Sequence, residues 1–177
     1  MSGKRKVVLF IATSLDGFIA TEEETLEWLF EVEGEGDNGY SAFYDTIDTV
    51  LMGKKTYDWI LNNHQFTEYP YKDKQSFVFS KLEHKNTDDV QFIKNDIPQF
   101  INQLKKNNGK TIWLVGGGQL FTYFLKNKLV DELYVTVAPK IIVTGIPLFN
   151  PGSYHVDLTL IGTQTFNQFV ELHYKVL

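Results

Sequence analysis

Apolar residues along the chain gather into short runs at 7–12, 49–52, 76–79, 90–93, 112–115 and 133–137. Several of these runs show little in-out alternation, the pattern of strands covered on both faces. Between them the spacing turns helical. Asp96 is placed to cap a helix with Pro98 in its first turn, Phe100, Ile101 and Leu104 share one face, and Gly109 supplies a stop. The stretches 40–47, 55–61 and 119–126 are shorter helical candidates. Strand and helix alternating in this way predict an α/β fold of three layers, α/β/α, around a mainly parallel central sheet.

The last segment changes character. Runs at 156–166 and 169–176 flank a short Asn167-Gln168 turn, and in the second run Val170, Leu172, Tyr174 and Val176 alternate with Glu171, His173 and Lys175. That alternation predicts a C-terminal antiparallel hairpin whose Glu171 face is the wetter one. No repeat, low-complexity tract or long linker interrupts the chain, so residues 1–177 read as a single domain. The segment 22–39, rich in acid and glycine around Trp28-Leu29-Phe30, suits a loop or short helix lying over a site.

Composition narrows the chemistry. With 22 acidic against 17 basic residues the net charge is -5, which offers no bulk attraction to nucleic acid or an anionic membrane. The apolar run after Lys4, Arg5 and Lys6 is broken by Thr13, Ser14 and Asp16, too short for a secretory core or a membrane span. The absence of cysteine excludes disulfides, thiolate metal sites and cysteine nucleophiles, and agrees with a cytoplasmic location. His64, His84, His155 and His173 have no close ligand spacing, so they read as surface residues and no metal is expected.

Three segments remain as candidate sites. In Ile112-Trp113-Leu114-Val115-Gly116-Gly117-Gly118-Gln119-Leu120-Phe121 a buried strand breaks into glycines and resumes with helical spacing, which lets backbone N–H groups approach a phosphate. Leu51-Met52-Gly53-Lys54-Lys55-Thr56-Tyr57 combines a glycine, two cations and a hydroxyl at a second helix start. The third, residues 12–20, leaves the first strand through a turn-forming Asp16-Gly17 pair. Each has a plain structural reading as a tight turn or a solvated helix end. Neither glycine segment completes a P-loop or a Gly-x-Gly-x-x-Gly fingerprint.

In order, Ser14-Leu15-Asp16-Gly17-Phe18-Ile19-Ala20, Met52-Gly53-Lys54-Lys55-Thr56-Tyr57, Val78-Phe79-Ser80, Val115-Gly116-Gly117-Gly118 and Asp131-Glu132-Leu133-Tyr134-Val135-Thr136 resemble the dihydrofolate reductase superfamily. Within it, the Ser-Leu-Asp-Gly start, Trp28 and Pro147-Leu148-Phe149 look closest to the reductase domain of bifunctional riboflavin-biosynthesis proteins and its stand-alone relatives. The resemblance covers nearly the whole chain. It implies an NADPH-dependent reductase, with hydride passing to a C=N or C=O carbon of a small-molecule substrate. By position it sets Ala12 and Ile19 beside the nicotinamide. It sets Gly53, Gly116, Gly117, Gly118, Gln119 and Leu120 around the pyrophosphate, with Lys55 and Thr56 assisting. Lys54, Ser80 and Lys81 match positions around the adenosine 2′-phosphate, and Phe121 falls where a ring stacks near the nicotinamide.

On the substrate side, Thr136 matches a threonine that accompanies the catalytic carboxylate of dihydrofolate reductases. Counting back from Gly53 puts that carboxylate at Asp37, whereas the helix inferred at 40–47 offers Asp45. Asp37 serves equally as a cap for that helix. Asp16 and Trp28 are candidates for substrate contact, with Asp16 equally a turn former. A substrate carrying ribosyl phosphate calls for a basic clamp, and Arg5 is the single arginine. Relatives in the riboflavin branch are often dimers, which makes a homodimer through the C-terminal hairpin an expectation. The competing reading is a catalytically silent NADP-binding or oligomerisation module.

Overall fold

The computed structural model describes residues 4–177. The chain begins with β1 (Val7–Ser14), β2 (Phe18–Ala20), α1 (Glu27–Phe30) and α2 (Tyr40–Tyr44). It continues through β3 (Ile47–Gly53), α3 (Lys54–Asn62), β4 (Gln75–Phe79), β5 (Gln91–Ile93) and α4 (Ile97–Leu104). β6 (Thr111–Gly116), α5 (Gly118–Lys126), β7 (Glu132–Ala138), β8 (Ile146–Pro147), β9 (Leu158–Phe166) and β10 (Phe169–Val176) complete it.

Eight strands form one sheet in the order β5-β4-β3-β6-β1-β7-β10-β9. The neighbours from β5 to β7 run parallel, and β10 pairs antiparallel with both β7 and β9. The architecture is the α/β one implied by the apolar runs. Its centre is apolar on both faces because helices cover both. Beneath α4 and α5, Leu9, Leu51, Leu114 and Leu133 pack with Ile101 and Phe124. On the opposite face Val50, Met52 and Trp113 pack with Tyr57 and Ile60 of α3. Burial of each such side chain stabilises the fold by about 1.5–3 kcal/mol.

Local boundaries differ from the sequence pattern for identifiable reasons. The helix expected at 40–47 ends at Tyr44, because Ile47 is already a buried residue of β3. Its start is set by Gly39 in the left-handed region (φ 79). α4 stops at Leu104 rather than running on to Gly109, and the nearly buried Lys105 turns its ammonium to Asp131 at 2.6 Å. Asp96 caps this helix as expected, accepting from the Gln99 N–H at 3.1 Å. The two-stranded ribbon of β2 and β8 has too few residues to leave a periodic signal.

The hairpin of β9 and β10 forms, but the expectation of a wet Glu171 face needs correction. Glu171 is 8% exposed and its apolar neighbour Val170 is 40% exposed. The α2 side of the sheet is covered at Glu171, while nothing comparable covers Val170. Arg5 is also inside, at the far end from the glycine turns. Its guanidinium pairs with Asp48 and donates to Thr49 Oγ1 and the Lys110 carbonyl, each at 2.7 Å. Arg5 thereby ties together the starts of β1, β3 and β6 and is no phosphate clamp. Among the described residues, no helix is long and apolar enough to cross a membrane.

Candidate active site

β3 and β6 are parallel neighbours that end together, with Met52 opposite Gly116. The helices that follow them, α3 and α5, therefore start at the same edge of the sheet. Their N-caps are Gly53 and Gly117, and neither receives a side-chain cap. First-turn N–H groups at both helix starts face outward with the positive ends of two helix dipoles. The turn between β6 and α5 carries Gly116 at φ 154 and a cis Gly116-Gly117 peptide. A Cβ on Gly117 would lie 3.3 Å from Thr56 Oγ1, so absence of a side chain there leaves a cradle between the two helix starts. A Cβ on Gly118 would lie 2.5 Å from the Pro147 carbonyl oxygen, so that glycine is needed for β8 to pass over the helix.

The neighbouring groups are those flagged for a phosphate, with different degrees of freedom. Lys55 is exposed and Gln119 is exposed, whereas Leu120 and Ile19 lean on the core. Lys54 is bound to Asp58 one helical turn on, at 2.6 Å, which offsets its charge. β4 runs beside β3 with Phe79 opposite Gly53, so Ser80 and exposed Lys81 emerge at the same edge. The Ser80 hydroxyl accepts from the Leu82 N–H at 3.1 Å and meets His84 Nε2 at 3.0 Å. His84 is half-buried against Phe92, with ring centroids 4.9 Å apart, which corrects its assignment to the surface. Its link to Ser80 spans a loop and leaves no trace in ligand spacing.

Phe121 does not offer a ring to a ligand. It is 1% exposed in the core, under the glycine turn, where it supports Gly116 from below. A long apolar side chain in the first turn of a helix packed on a sheet is drawn to that interior.

At the end of β1, Ser14 Oγ donates to Asp16 at 2.6 Å and accepts from the Phe18 N–H at 3.0 Å. The Asp16 carboxylate also accepts from the backbone N–H groups of Val143 (2.8 Å) and Ile142 (3.3 Å). The Ser14 hydroxyl, with these backbone donors, holds the Asp16 carboxyl below its ordinary range. Asp16 thus clamps the segment between β7 and β8, and its acceptor sites are directed there rather than to a substrate.

Trp28 lies in a small cluster with Ala138, Phe166 and Phe169, a roof over the ends of β7 and the hairpin. Its indole N–H is buried, with no hydrogen-bond partner among the described residues. Asp37 is exposed and caps α2, accepting from the N–H groups of Ser41 (2.8 Å) and Gly39 (3.1 Å). The Ser41 side chain and then these N–H groups keep its carboxyl below the usual range, so it is an anion at neutral pH. Asp45 is the exposed C-cap of the same helix. Both carboxylates expected to serve as the acid are helix-end groups facing water.

Thr136 is buried, and its cross-strand partner on β10 is Glu171, a residue that sequence patterning had turned outward. Ala12 pairs with Thr136 on the other side and Gln164 with Glu171, giving one row Ala12, Thr136, Glu171, Gln164 across four strands. Burial pushes the Glu171 carboxyl up, against the opposing pull of His173 and the Thr136 hydroxyl. Glu171 opens on a cavity of about 440 Å³ between α2 and the sheet, walled by Phe10, Phe43, Tyr134 and Phe166. At the far end of this cavity Glu132 bonds Lys6 and meets His173 Nε2 at 2.9 Å. Burial raises the Glu132 carboxyl, but the bonds to Lys6 and His173 outweigh it and leave it below the ordinary range. His173 in turn stacks on Tyr134 at 3.8 Å, so it too is half-buried rather than a free surface residue. Among the described residues no cluster of three or more His, Asp or Glu side chains is arranged to hold a metal ion.

Comparisons with known proteins identify the family and the fold. A family model described as "RibD C-terminal domain" matches residues 5–172. The uncharacterized protein YwjB of Bacillus subtilis (strain 168) is 44% identical over 172 residues, covering 97% of this chain and 98% of its own. A crystal structure from Shewanella sp. PV-4, of a protein provisionally assigned to riboflavin biosynthesis, superposes with a TM-score of 0.87 at 28% identity, covering 97% of this chain and 99% of that one. Dihydrofolate reductase from Enterococcus faecalis, complexed with NADP(H) and RAB-propyl, superposes at 0.66 with 12% identity and 99% of each chain covered. At that identity the likeness is one of fold.

Proposed function

The chain belongs to the RibD C-terminal domain family, and on that premise we propose that it is an NADPH-dependent reductase of a small heterocyclic or carbonyl compound. The observation that carries this reading is the cradle where the uncapped starts of α3 and α5 meet over a side-chain-free turn. Such a cradle suits a pyrophosphate, because it aims backbone donors and two positive dipole ends at one volume. Thr56 adds a hydroxyl and exposed Lys55 a charge. Ser80, Lys81 and His84 stand at the adjoining strand end, where they suit a 2′-phosphate and favour NADPH over NADH. With Lys54 already bound to Asp58, the discriminating charge falls to Lys81, and Ser80 with its neighbour His84 adds hydrogen-bonding groups.

When bound, NADPH supplies the hydride; the protein binds, orients and excludes water. Ala12 and Thr136 border the site of transfer, and Trp28 with its roof limits access from above. The enzyme acts in the cytoplasm in this reading, and exposed Leu158, Leu160 and Val170 on the hairpin would form the seam of a homodimer.

Titrating NADPH against the emission of the three tryptophans tests the proposal, with saturable quenching as the expected result. No binding at millimolar NADPH defeats it. Binding without NADPH oxidation across a panel of pterins, pyrimidinones, nitro compounds and carbonyls would identify a silent binding module instead.

A further inference from the structure

We propose that Glu171 is the proton donor of this site, delivering its carboxyl proton to the nitrogen or oxygen of the substrate double bond whose carbon takes up hydride. The assignment rests on the reductase reading above and adds to it the identity of the acid. Strand register sets Glu171 one strand from Thr136 and two from Ala12, at the same level of the sheet. At about 4.8 Å per strand, the Glu171 and Ala12 backbones are roughly 10 Å apart, the width of a flat ring and its flanking contacts. Thr136 lies between them, and Phe10 and Tyr134, which line the cavity, form its floor one level below on the same face. A planar substrate lying on that floor presents one edge to Ala12 and the other to the Glu171 carboxyl.

The placement is costly for a purely structural side chain. A carboxylate that is 8% exposed in an aromatic-walled cavity loses most of its hydration, and among the described residues no lysine or arginine is paired with it. The charged and titratable groups around it are few. His173 lies two residues along its own strand, Tyr134 and Glu132 face it from β7, and Lys6 at the base of β1 is bound to Glu132. Across the cavity, α2 and its flanks contribute Gly39, Ala42, Phe43 and Thr46, none charged, and β9 contributes Gln164 and Phe166. Desolvation therefore keeps the carboxyl protonated to a higher pH than a surface glutamate, as an acid working near neutrality requires. Asp37 and Asp45 lack this property because water solvates both.

The chemistry balances. The substrate carbon gains hydride with its electron pair, the adjacent nitrogen or oxygen gains the Glu171 proton, and the former π pair becomes the new N–H or O–H bond. The nicotinamide cofactor is oxidised, and the carboxylate left behind is reprotonated from solvent through the cavity.

The test uses the full chain and two readouts. In the protein without substrate, δ-carbon-labelled glutamate followed by NMR should show one carboxyl titrating above the others, lost in Glu171→Gln. A Glu171 resonance titrating with the surface glutamates overturns the assignment, whether or not a substrate is known. In turnover with the panel compounds, Glu171→Gln should lower kcat by roughly 100-fold or more, Glu171→Asp should recover part of it, and the alkaline limb of the pH profile should disappear in the amide variant. NADPH affinity should change less than twofold, since Glu171 is remote from the glycine cradle. Unimpaired turnover by Glu171→Gln overturns the proton-donor role alone, whereas failure of the parent protein to bind NADPH removes the reductase reading together with it.

Discussion

Replacing two adjacent glycines by alanine should separate binding from folding. At Gly117 the new methyl would stand 3.3 Å from Thr56 Oγ1, a hydroxyl that can shift by a few tenths of an ångström, and the backbone there is extended at φ -101. Gly117→Ala should therefore leave stability within about 1 kcal/mol of the parent. The methyl would occupy the cradle and hold a pyrophosphate away from one or two N–H groups. Each charge-assisted hydrogen bond contributes about 1.5–3 kcal/mol, so NADPH affinity should fall by roughly 10- to 100-fold per bond lost. At Gly118 the methyl would stand 2.5 Å from the Pro147 carbonyl oxygen, an atom fixed in β8. Relief requires moving backbone, which costs about 1–3 kcal/mol. For a chain of 177 residues each kcal/mol lowers Tm by about 2–4 °C, so Gly118→Ala should melt clearly earlier. Calorimetric melting and NADPH titration of the two variants suffice. An unweakened NADPH affinity in Gly117→Ala would place the pyrophosphate elsewhere, and an unshifted Tm in Gly118→Ala would refute the close approach of β8.

Three further outcomes follow from the carboxylates. Asp37→Ala should leave kcat within about twofold, because its oxygens cap α2 in water; a loss of 100-fold in steady-state turnover would restore it as the acid. Asp16, whose folded carboxyl lies below its ordinary value, adds stability above the unfolded pKa that is lost as pH falls through the folded one. Asp16→Asn should remove that acid-side dependence and speed amide exchange at Val143, as hydrogen-exchange mass spectrometry can measure; unchanged exchange would deny the clamp. Glu171 has the opposite sign: its raised folded pKa favours the native state below the unfolded value, and this advantage disappears as pH rises through the folded one. Glu171→Gln should therefore be more resistant to urea than the parent at neutral pH and lose that margin in acid, and equal margins at both would contradict a buried ionising carboxyl.

The parallel sheet was legible because its strands are covered on both faces, so Val50, Leu51 and Met52 or Ile112, Trp113 and Leu114 stand as unbroken apolar runs. The glycine cradle was legible for a related reason: a strand that breaks into Gly116-Gly117-Gly118 and resumes as a helix leaves a mark in one continuous stretch of chain. What escaped depended on pairs distant in sequence. Asp16 binds the Val143 N–H across 127 positions, and no local pattern distinguishes that clamp from a free turn carboxylate. The stacking of His173 on Tyr134 was missed likewise, and the contact between Ser80 and His84, though only four positions apart, lies in a loop that carries no periodic signal.

Glu171 shows why the most consequential error fell where it did. Alternation assigns polar residues to water on the assumption that one face of a hairpin is uncovered, and β10 violates that assumption most at Glu171, near the turn, and in part at His173. There α2 and the Trp28 roof lie over the polar face, while Val170 on the other face is left without a cover. Selection for stability alone would place an apolar side chain at position 171 and a polar one at 170, because each would then meet its preferred surroundings. Of the inverted pair, Glu171 sits in register with Thr136 and, one strand further, Ala12, the positions that the proposed reductase reading places beside the nicotinamide. A local rule broken against the stability gradient, at the level of the sheet where the reaction would occur, argues for function at Glu171 more strongly than any carboxylate that obeys the rule.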